Sequence, residues 1–306
     1  MNSKTITAIA CTALLLTGCV SFEMEKPAPT QQEPIGINFT DEPVYSRLSL
    51  PTNIYAVPNS KALISGSQTS NSGLWLAFGA AGALAKTAVE SHATKSESES
   101  IIPPLQVDLK TEATKVKNQL VTTDIFKNKF STSHQANQPL LNVASAVVFS
   151  FDNETDARIY LVLKADLQSP TPSTPVWSTR YIFSSEPRPV SGPNSWSENN
   201  GKAIQEEINY GLEKSVKFMM NDISTPYTRN SSNLNVVQGQ FLFVPIRAQI
   251  LGHKLNEDSE SISFIPKHGD GALFAGVNII SKKDITFRPA KENDPIFMPI
   301  QQLQKN

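Results

Sequence analysis

Cysteine is almost absent from this chain. The 306 residues hold two, Cys11 and Cys19, and only four histidines, His92, His134, His253 and His268. No pair of those histidines has zinc-ligand spacing, and no His-Glu-x-x-His occurs. A Gly-x-Ser-x-Gly elbow is lacking too. Gly79-x-x-Gly82 has neither the lysine nor the preceding strand pattern of a phosphate loop. An excess of positive charge is missing: 27 Lys and Arg stand against 28 Asp and Glu, a formal net charge of −1. That balance leaves no electrostatic footprint for nucleic acid. Long apolar runs are absent as well. Thr5–Leu16 and Leu74–Ala85 hold twelve residues each, against the roughly 20 that a spanning helix needs.

What is present starts at the N-terminus. Lys4 forms a short basic region, Thr5–Leu16 an apolar one, and Leu16-Thr17-Gly18-Cys19 follows. The first two parts read as a secretion signal. The last four residues resemble the lipobox of bacterial lipoproteins. The resemblance implies export, diacylglycerol on the Cys19 thiol, cleavage before Cys19 and acylation of its new amine. Residue 20 is Val rather than Asp, which by similarity to sorted lipoproteins implies the outer membrane, facing the periplasm. Cleavage leaves 306 − 18 = 288 residues, with Cys19 as the only cysteine and therefore no internal disulfide. One acyl chain binds a membrane marginally, whereas several hold firmly, so no transmembrane helix is required.

Beyond residues 1–18, composition divides the chain into a tether at 19–43, an α/β body at 44–228 and a small β-rich region at 229–306. Residues 20–43 are rich in Pro, Glu and Gln, the composition of a solvated linker. Alternating apolar positions at 44–65 suggest one or two short strands. Residues 105–130 read as a helix on Leu105, Leu109, Val116, Leu120 and Phe126. Strands are expected at 140–151, 157–167 and 176–185, forming an antiparallel meander. Ile204, Ile208, Leu212 and Val216 recur every four residues and place a long helix at 197–224. Ser195-x-x-Glu198 has the form of a capping box, and Asn200 competes as its N-cap. GQFLFVPIRAQIL, SISFIPK and ALFAGVNIIS then read as further strands. The fold class expected is α+β: an antiparallel β-meander packed against two long helices, followed by a smaller β-rich C-terminal part.

The Gly/Ala-rich stretch at 73–92, GLWLAFGAAGALAKTAVESH, reads as a helix. Its twelve apolar residues span about 18 Å at 1.5 Å each, short of a bilayer core. Ala77, Ala81 and Ala85 make one line of small residues, and Gly79 with Ala83 another. Such lines favour close helix approach within a chain or between subunits, which keeps a homo-oligomer open. Trp75, Phe78, Gly79 and Gly82 are the candidate interface.

This order of features is similar to that of a set of proteobacterial envelope lipoproteins: an apolar Gly/Ala segment, a polar break at 91–100, a helix, a meander with Trp177 opening its last strand, and a long helix. The helix and meander also resemble the α/β domain shared by TolB N-terminal regions and the curli-secretion lipoproteins. The resemblance implies an accessory or assembly factor of the envelope and carries no catalytic residue with it.

The remaining candidates are modest. Asp152, Glu154 and Asp156 alternate as in a calcium loop but lack its glycine and distal Glu. Lys267-His268-Gly269-Asp270-Gly271 reads as a hairpin turn first and an anion loop second. Trp177 and Trp196 suit packing before ligand stacking. The expectation is a non-enzymatic, lipid-anchored envelope protein acting through protein–protein contacts with an unknown partner, without cofactor or metal. A lipoprotein binding a small molecule or lipid is the alternative, and a cell-envelope hydrolase comes last.

Overall fold

The computed structural model describes residues 23–44, 47–50, 53–56, 62–65, 75–78, 100–101, 103–131, 137–153, 155–170, 175–244, 246–267 and 274–300. The strands are β1 (Ile35–Thr40), β2 (Arg47–Leu50), β3 (Asn53–Ala56), β4 (Ala62–Ser65), β5 (Trp75–Phe78), β6 (Phe130–Ser131), β7 (Leu140–Phe151), β8 (Asp156–Gln168), β9 (Pro175–Ser184), β10 (Arg188–Pro189), β11 (Asn235–Gly239), β12 (Ala248–Glu257), β13 (Ser261–Pro266), β14 (Val277–Ser281), β15 (Thr286–Pro289) and β16 (Phe297–Pro299). The main helices are α1 (Leu109–Leu120) and α2 (Glu198–Ser224).

Fourteen strands join in one sheet, ordered β15-β11-β12-β13-β14-β9-β8-β7-β1-β6, with β10, β16, β4 and β5 attached at its sides. β2 and β3 pair separately. The sheet is mixed. β8 is antiparallel to both β7 and β9, whereas β1 runs parallel to both β6 and β7, β4 parallel to β7, and β14 parallel to β9.

These pairings overturn the fold expected from the sequence. An antiparallel meander on two long helices, with a separate β-rich part after it, is not what forms. The C-terminal strands enter the main sheet through β14, which pairs Val277 with Tyr181 and Ile279 with Phe183. Only α2 is long among the described residues. α1 stops ten residues before Phe130 because the β-branched run Val121-Thr122-Thr123 suits a helix poorly. The Thr122 and Thr123 hydroxyls then donate to the carbonyls of Gln119 and Leu120, both at 2.7 Å, which satisfies acceptors left over at the helix end.

β7 and β8 are central, and they are apolar on both faces, as a doubly covered strand must be. Val143, Val147, Phe149, Ile159, Leu161, Leu163, Tyr181 and Phe183 share one core with the α2 stripe of Ile204, Ile208, Leu212, Val216 and Met219. Ala144, Ala146, Val148, Tyr160, Val162 and Ile182 form the other core with Val44, Leu242 and Phe243. The run Phe241–Val244, expected as strand, is a turn instead. Phe243 takes φ +62°, and the turn lays Leu242 and Phe243 over the second face.

Gly211 sets how closely α2 approaches β9. A Cβ there would meet the Phe183 ring at 2.6 Å. The start of α2 also differs from expectation. Asn199, Asn200 and Gly201 have φ of 50°, 56° and 73°, a left-handed turn built from the residue types that tolerate it. The capping box does not form: Glu198 instead accepts from the Asn194 N–H at 2.6 Å.

Two further expectations change. The run at 19–43 is no free tether in its described part, since Ala28 is buried in the core and Ile35–Thr40 is sheet. Trp75 and Phe78 lie on a strand, with β5 antiparallel to β4 and Trp75 opposite Ser65. The helix expected over 73–92 is therefore absent at 75–78. Gly79 and Gly82 lie outside the described residues.

Candidate functional site

A cleft lies where the ends of β9 and β14 and the turn between β12 and β13 meet the side of α2. β9 runs out at Ser184 and continues through Ser185 and Glu186 to Arg188. β14 ends beside it, so Ser281, Lys282 and Lys283 form the next wall. The turn between β12 and β13 supplies Ser259, Glu260 and Ser261, and α2 closes the space with Glu207 and Tyr210. The cleft is open to solvent and its volume is about 480 Å³, within the range of small-ligand sites.

Charge of both signs lines this cleft. Arg188 sits 3.2 Å from Glu207, whose side chain is 14 % exposed. Burial pushes the Glu207 carboxyl above the usual range, against the lowering effect of Arg188. The Arg188 guanidinium also lies 4.8 Å from the centroid of Trp196, a cation–π contact. Trp196 is fully buried and donates Nε1–H to the Ala157 carbonyl at 2.6 Å. Packing anchors Arg188, and Arg188 in turn positions Glu207.

Where the segment after β9 meets the end of β14, Lys283 lies 3.0 Å from Glu186, and Ser281 donates its hydroxyl to the same carboxylate at 3.0 Å. The Lys283 hydrogen bond holds the Glu186 carboxyl below its ordinary range. Tyr210 donates to Glu260 at 2.8 Å, and Lys214 approaches Asp258 at 3.4 Å. These contacts tie α2 to the β12–β13 turn. Burial would raise the Asp258 carboxyl, but N–H groups of Ser261 and Glu260 and the Ser261 hydroxyl prevail and hold it at about 2.

A second polar centre is buried at the other end of β9. Asp222, fully buried, accepts from Tyr181 Oη at 2.9 Å and from Arg229 Nη2 at 2.7 Å. Burial, followed by the Asp222 charge, pushes the Tyr181 hydroxyl well above its ordinary range. Arg229 Nη1 donates to the Lys26 carbonyl, and Trp177 Nε1 donates to the same oxygen at 3.0 Å. Thr179 bonds the Glu25 carboxylate. The chain at 25–28 is thus strapped to the sheet.

The other sequence candidates are engaged elsewhere. Asp152 lies 2.6 Å from the buried Arg158, which also reaches Asp284 at 3.3 Å. Asp156 accepts from the Asn153 side chain at 3.0 Å. A calcium loop is therefore not formed by Asp152 and Asp156, and Glu154 lies outside the described residues. Trp177 serves the strap and Trp196 the cleft wall. His253 Nδ1 lies 2.8 Å from the Asn233 carbonyl. Lys267 gives its backbone N–H to Leu251 at 2.8 Å. Residues 268–271, His92, His134 and the lipobox from Leu16 to Cys19 lie outside the described residues. Among the described residues no group of three or more His, Cys, Asp and Glu is placed to hold a metal ion.

Sequence reasoning missed Arg188, Glu207 and Tyr210, since nothing in their local pattern sets them apart. Asp222 did leave a signal: a lone carboxylate among the apolar residues Met219, Met220 and Ile223. No protein-family model matches the chain, and no curated protein matches it.

Proposed function

We propose that this chain is a lipid-anchored envelope protein that works by recognition, taking a polar segment of a partner envelope protein into the cleft between α2 and β14. The observation that carries the reading is the Arg188–Glu207 pair at 3.2 Å on the cleft wall. It is positioned by a buried tryptophan and surrounded by serine hydroxyls and by charges of both signs. Such a lining offers hydrogen bonds to amides and to either charge, and it already pairs its own ions, as a binding surface does between encounters. Anchoring through Cys19 follows from the lipobox resemblance, and the outer membrane from Val20. No helix among the described residues is long and apolar enough to cross a membrane.

A small polar ligand is the second reading, favoured by the volume of about 480 Å³. Site-specific photo-crosslinking in intact cells separates the two. A photoreactive residue replacing Lys282 should give an adduct with one envelope protein, and Arg188→Ala should abolish that adduct while the protein stays folded and membrane-bound. An adduct unaffected by Arg188→Ala would refute the cleft as the recognition site. No protein adduct, with a small molecule retained on purification, would favour the second reading.

A further inference from the structure

The strap at 25–28 gives the protein a defined orientation. Glu25 and Lys26 are fastened at the start of β9 through Thr179, Trp177 and Arg229. Cys19 lies six residues before Glu25, and six residues reach at most about 20 Å when fully extended. An acyl anchor on Cys19 must therefore hold this end of the sheet within that distance of the bilayer.

The strand registers show what else gathers there. Leu140 of β7 pairs with both Gly36 of β1 and Gln168 of β8, and Gln168 pairs with Pro175 of β9. Phe130 of β6 pairs with Ile35, so the turn at 121–129 sits at the same end. α2 finishes there as well, because Lys129 Nζ donates to Thr225 at 2.9 Å. Two large apolar side chains are most exposed among the described residues: Ile125 at 59 % and Val176 at 51 %. Ile125 lies in that turn, and Val176 is the second residue of β9. Lys26, Lys127 and Lys129 are exposed at this end, Lys127 paired with Asp124 at 2.7 Å.

We propose that this end is a bilayer-docking surface, with Ile125 and Val176 entering the lipid interface and the cleft pointing away from the membrane. Trp177 and Ser184 are seven residues apart on β9, which separates the two ends by about 23 Å at ~3.3 Å per residue. The inference rests on the lipoprotein reading of Cys19. It goes beyond that reading by naming the face that touches lipid and the direction of the cleft. Apolar side chains here supplement an acyl anchor that already confines the protein, so they orient it rather than recruit it.

The test uses the lipidated full-length protein. With Cys19 acylated, Ile125→Cys, Val176→Cys and Lys202→Cys each place one free thiol. Lys202 is 70 % exposed at the cleft end of α2. Each thiol is labelled with an environment-sensitive fluorophore in vesicles of phosphatidylethanolamine and phosphatidylglycerol. Labels at 125 and 176 should shift to the blue and be quenched by brominated lipid, and the label at 202 should do neither. Water-like emission at all three positions, or lipid contact at 202, would overturn the docking surface and leave the anchor in place. Mass spectrometry showing Cys19 without acyl chains would instead remove the lipoprotein reading itself, and the inference with it.

Discussion

Arg229 and Asp222 meet at 2.7 Å, with the arginine side chain 2 % exposed and the aspartate 0 %. The pair joins three parts of the chain: the end of α2, the strand β9 through Tyr181, and the strap through the carbonyl of Lys26. Removing one partner of a buried ion pair leaves a charge with no compensation.

Arg229→Met should therefore destabilise the fold by about 3–5 kcal/mol. Asp222→Leu combined with Arg229→Met should cost less than Arg229→Met alone, because neither charge is stranded. Urea unfolding of the two variants checks the order. A double variant less stable than the single one would contradict it.

Gly211→Ala introduces a methyl 2.6 Å from the Phe183 ring. Alanine would favour the isolated helix by roughly 1 kcal/mol, but overpacking of this kind costs about 1–3 kcal/mol. A net loss is expected, and Phe183→Leu in the same chain should recover part of it. Thermal melts of the single and double variants decide the point.

Arg158 holds two carboxylates of limited exposure, Asp152 at 14 % and Asp284 at 12 %. Burial already raises the Asp284 carboxyl, against the lowering effect of Arg158, and Arg158→Met should raise it further. With the folded pKa of Asp284 further above the unfolded one, more stability is lost as pH rises above the ordinary aspartate value of about 3.9. The deficit against wild type should be greater at pH 8 than at pH 5, as unfolding midpoints at the two values would show.

Glu207 shows the same sign without mutation. Its carboxyl is raised by burial, so its ionisation disfavours the fold as pH climbs from the ordinary glutamate value of about 4.3 through the raised one. Glu207→Gln removes that dependence. The stability advantage of wild type over the variant should shrink as pH rises through this window. A constant difference between the two curves would show that Glu207 titrates normally.

Several parts of this fold are legible in the sequence. The four-residue recurrence of Ile204, Ile208, Leu212 and Val216 placed α2. The apolar runs of β7, β8 and β9 placed three central strands to within a residue or two. What stayed hidden depends on distant partners. Nothing in VNIIS says that it will lie parallel to YIFS, 277 − 181 = 96 residues earlier at its first pair. Trp75–Phe78 looked helical because alanine and glycine follow it, yet four residues against β4 suffice for a strand. The cleft draws its lining from four separate parts of the chain, and no local window contains that arrangement. The strap is hidden behind a linker-like composition, because it is held by the Lys26 carbonyl and the Glu25 carboxylate and buries only the small side chain of Ala28.

The parallel pairing of β14 with β9 has a consequence for how the chain is made. Closing a 96-residue loop carries an entropic cost before any contact repays it, and non-local pairing of this kind slows folding. Until Val277–Ser281 has been synthesised, the outer edge of β9 along Tyr181-Ile182-Phe183 has no neighbour on that side. An apolar strand edge left open in a growing chain is a template for association with other chains. Newly made copies are therefore most vulnerable from the completion of β9 at Ser184 until β14 ends at Ser281, 281 − 184 = 97 residues of synthesis, and a chain cut short before β14 would carry that adhesive edge permanently.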